Sequence, residues 1–187
     1  MAFTGRLSGK VAIVTGGGGG FGTGNVQKFV REGTEVVVVD IHPSIATRIA
    51  NNFPSTQALS LPVDVASETD RKTVLEFTIS TFHHLDVVNN GRVNPGTHST
   101  INAPEQDYDL MLSVSLKALY CSSKVVAPYL VKTSREGVFV AVWSISASRP
   151  RPGAVCYLGC SYNRQQRACT RVDCLRCSFQ SSPAYIG

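Results

Sequence analysis

The run Thr15-Gly16-Gly17-Gly18-Gly19-Gly20-Phe21-Gly22 follows the apolar stretch Val11-Ala12-Ile13-Val14 and opens a helix-like segment over residues 21–31. A strand that breaks into a glycine turn and reopens as a helix brings bare backbone up to a phosphate. Glycine lacks the Cβ that would block the approach, and the first helical turn offers unpaired N–H donors. Consecutive glycines also suit a flexible linker, so the context has to decide. Val36-Val37-Val38-Val39-Asp40 supplies a second buried strand that ends in a carboxylate, 24 residues after Gly16. That is close to the spacing at which an acid meets the ribose hydroxyls of a dinucleotide.

Strand character recurs over residues 56–63, 85–89 and 137–143, with helices expected over 44–52, 67–82 and 106–131. Ser44 reads as a helix cap, and Ser67 with Asp70 three residues later resembles a capping box. The strands are continuous apolar runs instead of alternating ones, and they alternate with helices. This pattern belongs to an α/β fold whose parallel sheet is covered on both faces. Its ligand crevice lies at the carboxyl ends of the strands, where residues 16–22, Asp40, Asp64, Asn90 and Ser144 fall.

A chain of 187 residues with 43% hydrophobic content suffices for one globular domain. The net charge of +5 hints at nucleic acid until its distribution is read. Up to Ser148 there are 12 Lys plus Arg and 12 Asp plus Glu, and the surplus comes from six later arginines against Asp173. No nucleic-acid partner is expected. The N-terminal residues lack a signal-peptide core, and no uninterrupted apolar run approaches the roughly 20 residues that span a bilayer. The expectation is a cytoplasmic protein with no membrane partner. Cys121 stands alone early, while Cys156, Cys160, Cys169, Cys174 and Cys177 crowd the end. Only Cys174 and Cys177 form a CxxC pair, so no metal site is expected.

With these motifs assembled, residues 7–157 resemble the short-chain dehydrogenase/reductase family. Thr15-Gly16-x-x-x-Gly20-x-Gly22 matches the family's TGxxxGxG cofactor motif, and Leu85-Asp86-Val87-Val88-Asn89-Asn90-Gly91 is similar to its LDVLVNNAG strand, shorter by a residue and lacking the alanine. The resemblance implies a Rossmann-type doubly wound parallel sheet and a nicotinamide cofactor, NAD in preference to NADP because of Asp40. It assigns Thr15, Gly16, Gly20, Phe21, Gly22, Asp40, Asp64, Val65, Asn89, Asn90 and Gly91 to the cofactor. The substrate it implies is a small alcohol or carbonyl compound, and the family's long helix often builds homo-oligomers.

The family's chemistry uses a serine to hold the substrate oxygen, a tyrosine to pass the proton, a lysine four residues later and an asparagine in the long helix. Ser144 fits the serine, and Tyr157 follows by the family interval of 13 residues. The lysine position holds Ser161, and the stretch that should carry asparagine reads Val114-Ser115-Leu116-Lys117. Residues 1–157 therefore read as a partial dehydrogenase domain of about five strands, the later strands missing. Residues 158–187 read as a divergent, poorly ordered tail rich in Arg, Cys and Ser. Read one nucleotide out of frame from Arg164, permitted codons give a YNASKG-like helix after Tyr162-Asn163, which would make Tyr162 the catalytic tyrosine. The alternative to a working oxidoreductase is a truncated, impaired relative with at most residual nucleotide binding.

Overall fold

All five expected strands are present in the computed structural model, which describes residues 5–91, 93, 103–133 and 137–141. The elements run β1 (Val11–Thr15), α1 (Gly20–Arg31), β2 (Glu35–Asp40), α2 (Pro43–Ala50), β3 (Ala58–Pro62), α3 (Glu68–Phe82), β4 (Val87–Asn90), α4 (Glu105–Leu112), α5 (Ala118–Lys132) and β5 (Val138–Ala141). A π-helical turn at Ser113–Lys117 joins α4 to α5. Every strand pair is parallel, in the order β3-β2-β1-β4-β5. The expectation of missing later strands concerns residues past 141, outside the described residues.

Strand β2 shows why its sequence is an unbroken valine run. Val36 and Val38 pack with Val26 and Val30 of α1 and Ala46, Ile49 and Ala50 of α2. Val37 and Val39 point to the opposite core, with Val74 and Phe82 of α3 and Val126 and Leu130 of α5. Successive side chains alternate between the two faces of a strand, and helices cover both, so each valine is fully buried. Each such burial stabilises the fold by roughly 1.5–3 kcal/mol. The sheet is thus doubly wound, with α1 and α2 on one side and α3 and α5 on the other.

The buried Asp86 fastens the amino ends of the strands. Its Oδ2 accepts from the Val11 N–H at 3.0 Å and its Oδ1 from Lys10 Nζ at 3.1 Å. Its backbone N–H donates to the Val11 carbonyl, and its carbonyl accepts from Val138. With β1, β4 and β5 joined at that end, the loops at the other end are free to build a site.

Helix α2 begins one residue earlier than expected, with Pro43 at its first position and His42, not Ser44, as its N-cap. Proline's fixed φ and missing N–H suit that position. The long helix contains the π turn, which ordinary helix-forming residues give no sign of. Its 28 residues Glu105–Lys132, with a mean hydropathy of 1.3 over their most apolar window, are long and apolar enough to cross a membrane by length and composition alone. That revises the expectation that no segment is. Met111, Ala118, Val126 and Leu130 form its buried side.

Candidate functional site

Strands β2 and β4 flank β1, and the chain leaves β1 toward β2 and β3 before returning to β4 on its other side. The carboxyl ends of β1 and β4 therefore border a topological switch point, where open α/β sheets bind ligands. Thr15 ends β1 and is buried, and its Oγ1 accepts the Gly91 N–H at 2.7 Å. This bond ties the segment after Asn89 and Asn90 to the start of the glycine turn.

The turn is pinned, which removes the linker alternative. Gly17 N–H donates to the Val39 carbonyl at 3.0 Å and Gly19 N–H to the Gly16 carbonyl at 3.1 Å. Gly18 N–H donates to Asp40 Oδ2 at 3.0 Å, and Thr23 Oγ1 to the Gly17 carbonyl at 3.1 Å. Gly16 has a φ of +65°, a conformation that side chains rarely adopt. At Gly22 an added Cβ would run into the Gly16 carbonyl oxygen, so helix α1 can lie this close to the turn only with glycine there.

Gly20 differs, since a Cβ there would meet nothing within 4 Å. The open side of Gly20 adjoins the first turn of α1, whose N-cap Gly19 offers no side-chain cap and which contains no acid. Helix geometry leaves the N–H groups of this first turn without intrahelical partners, and the positive end of the helix favours an anion. Phe21, 81% exposed, stands at the rim. Asp40 anchors the far side: Oδ2 holds Gly18 and Oδ1 accepts the His42 N–H at 3.1 Å. A carboxylate has about four acceptor positions, so two remain. N–H donors at a helix start on one side and a carboxylate with spare acceptor positions on the other fit a dinucleotide.

Beyond β3 the chain turns at Asp64 and Val65. Asp64 Oδ1 accepts the Ala66 N–H at 2.8 Å, while the Asp64 N–H donates to Asp70 Oδ2 at 2.9 Å. Ser67 caps α3 by accepting the Asp70 N–H at 3.3 Å, as the capping-box spacing implies. The returning arm of that box is redirected, because Ser67 N–H already donates to the Asp64 carbonyl and Asp70 reaches Asp64 instead. Sequence reading missed this role of Asp70, and it missed Arg71 and Thr23 as well. Only the Ser67–Asp70 spacing carried a hint.

Displaced titrations lie at surface ion pairs. Glu32 is held down to about 2 by hydrogen bonds first from Arg6 and then from Lys28, and the Glu32 carboxylate in turn raises Arg6. Glu68 is lowered chiefly by its hydrogen bond from Lys72. A groove of about 410 Å³ between α3 and α5, floored by Leu75 and Val125, contains none of the expected site residues. Ser115, at the expected asparagine position, lies in the π turn with its Oγ buried and without a hydrogen-bond partner among the described residues. Ser144, Tyr157, Tyr162 and the late cysteines lie outside the described residues. So does residues 158–187, the expected tail.

A glycine turn between an apolar strand and a helix, facing an acid-ended second strand at a switch point, defines a Rossmann-type domain of the kind that binds dinucleotides. Residues 10–160 match the short chain dehydrogenase family, and the chain belongs to it. The L-fucose dehydrogenase of Bos taurus is 33% identical over 159 residues, which are 84% of this chain and 57% of that protein. The chain thus spans little more than half the length of such relatives. A 3-ketoacyl-(acyl-carrier-protein) reductase from Brucella melitensis, solved with NADH, superposes with a TM-score of 0.75 at 29% identity, covering 81% of this chain and 64% of that one. A 7α-hydroxysteroid dehydrogenase solved with NADH and a 7-oxo bile acid gives 0.71 at 28%, covering 78% and 57%.

Proposed function

We propose that the protein is a nicotinamide-dinucleotide-dependent oxidoreductase that interconverts an alcohol and a carbonyl group on a small molecule, with NAD(H) preferred to NADP(H). The observation that carries this reading is the bond from Gly18 N–H to Asp40 Oδ2, which joins the glycine turn to the ribose acid in one crevice. The bound nicotinamide supplies the hydride donor or acceptor. The first-turn N–H groups of α1 hold pyrophosphate, and Asp40 accepts from the ribose diol and repels a 2′-phosphate. Asp64 Oδ2 and the Val65 N–H, neither hydrogen-bonded among the described residues, offer an acceptor beside a donor to the adenine edge. Thr15, Asn89, Asn90 and Gly91 wall the same crevice. Ser144 holds the substrate oxygen, and the phenol of Tyr157, or of Tyr162 in its place, moves the proton.

A second reading is nucleotide binding with little turnover. Ser161 and Ser115 stand where the resemblance asks for lysine and asparagine. A phenol has an ordinary pKa near 10 and needs a neighbouring cation to work as a base at neutral pH. Fluorescence titration with NADH and NADPH, followed by assay of secondary alcohols with NAD, separates the readings. Tight NADH binding with turnover supports the first, and binding without turnover the second. Tighter binding of NADPH overturns the cofactor preference. Tyr157→Phe and Tyr162→Phe then assign the proton carrier, since only the true one abolishes turnover.

The location that goes with this reading is the cytoplasm. The exposed side of the long helix is covered by a second copy of the chain, with no membrane and no nucleic acid as partner.

A further inference from the structure

The loop after β3 has nearly all its backbone polar groups engaged. Asp64 N–H goes to Asp70, the Asp64 carbonyl accepts from Ser67, and Ala66 N–H goes to the Asp64 carboxylate. The Val65 carbonyl accepts from Arg71 Nη1 at 2.6 Å. Arg71 is only 8% exposed and makes no salt bridge among the described residues, its charge reaching the Glu68 carboxylate only as a minor influence. Burying a guanidinium away from a carboxylate is unfavourable, so its contact with one carbonyl calls for an explanation.

The peptide between Val65 and Ala66 links the two bonds. Its oxygen accepts from the Arg71 cation, and its N–H donates to Asp64 Oδ1 at 2.8 Å. A charge on the carbonyl side polarises the amide and strengthens the donor on the other side. Arg71 therefore acts on the Asp64 carboxylate through that peptide, while Asp70 holds the backbone of the same residue.

We propose that Arg71 and Asp70 are positioning residues that orient the Asp64 carboxylate and the Val65 N–H toward adenine, and so set the protein's preference for adenine over a 6-oxopurine. This rests on the dinucleotide reading above. Adenine presents a donor at its 6-amino group and an acceptor at N1, and hypoxanthine presents the reverse. A fixed acceptor–donor pair accepts the first and leaves buried groups unpaired with the second.

The test is fluorescence titration of the full chain with NADH and with reduced nicotinamide hypoxanthine dinucleotide. The native protein should bind NADH the more tightly. Arg71→Met should weaken NADH about tenfold, the worth of one hydrogen bond to a charged group. It should leave the hypoxanthine analogue within about twofold, and Arg71→Lys should recover part of the preference. Asp70→Ala, at a partly buried position, should narrow the same ratio and serves where Arg71→Met fails to fold. Equal losses for both dinucleotides, or an unchanged ratio in these variants, would overturn the positioning role. Native protein that binds neither dinucleotide would instead overturn the reading on which it rests.

Discussion

At the scale of single residues, the glycine motif separates into positions with different duties. Gly22 is required by packing, because the obstacle to a Cβ is the Gly16 backbone, which cannot swing aside as a side chain would. Gly22→Ala should therefore destabilise the fold by about 3 kcal/mol, the upper end for overpacking, read as a lower urea midpoint. Gly20→Ala puts its methyl into open space. It should leave the urea midpoint nearly unchanged while weakening NADH, so the two variants separate fold from site. Asp40 holds the turn and, on the proposed reading, the ribose. Asp40→Asn keeps an acceptor for one of its two N–H partners but loses the charge that repels a 2′-phosphate. NADH affinity should fall about tenfold, with NADPH affinity unchanged or higher. A parallel fall for both cofactors would reduce Asp40 to a support for the turn.

At the scale of elements, legibility followed how local the cause was. Strands β1 and β2 run as expected, at Val11–Thr15 and Glu35–Asp40, because a strand buried on both faces writes itself as an unbroken apolar run. Strand β3 is shorter than residues 56–63 and stops at Pro62, and β4 starts later and ends at Asn90. Those limits are set by pairing with β2 and with β1 and β5, which single-strand composition does not report. The site divided the same way: the turn and Asp40 were legible from spacing, whereas Arg71 has no local pattern and is defined by a carbonyl six residues away. The end of α1 gives an element-scale prediction. Glu32 receives Arg6 Nη2 at 3.2 Å and Lys28 Nζ at 2.8 Å, and its carbonyl receives the Leu7 N–H, so it docks the leading segment on the helix. Folding lowers its pKa from an ordinary 4.5 to about 2, so the contribution is fully present above 4.5 and lost as pH falls toward 2. Urea midpoints of the native chain and Glu32→Gln should therefore converge as pH drops from 5 to about 3, and added salt should narrow the gap at pH 5. A gap independent of pH would mean that the backbone contacts alone secure the segment.

At the scale of the molecule, the long helix is the element whose surroundings are least explained by one copy of the chain. Tyr108, Leu116 and Tyr120 are 39%, 43% and 65% exposed and, with Leu112 between them, repeat every four residues along Glu105–Lys132. Only 17% of the helix's most apolar window is buried. A bilayer and a second copy could both cover such a stripe. The opposite side of the same helix favours the second copy, because Ala118, Val126 and Leu130 are buried in the fold, and Val126 and Leu130 belong to the core beneath the sheet. Crossing a membrane would strip those residues from the core, whereas self-association leaves them in place. Lys124 also lies with its Nζ 6.0 Å from the Tyr120 ring, on the part of the surface that lipid would have to desolvate. The proposed homo-oligomer thus predicts that Leu116→Glu combined with Tyr120→Glu converts the protein to monomer in sedimentation equilibrium, with its helix content by circular dichroism retained. Native protein that is already monomeric at tens of micromolar would end the proposal, and native protein that floats with neutral phosphatidylcholine vesicles would give the stripe to the membrane instead.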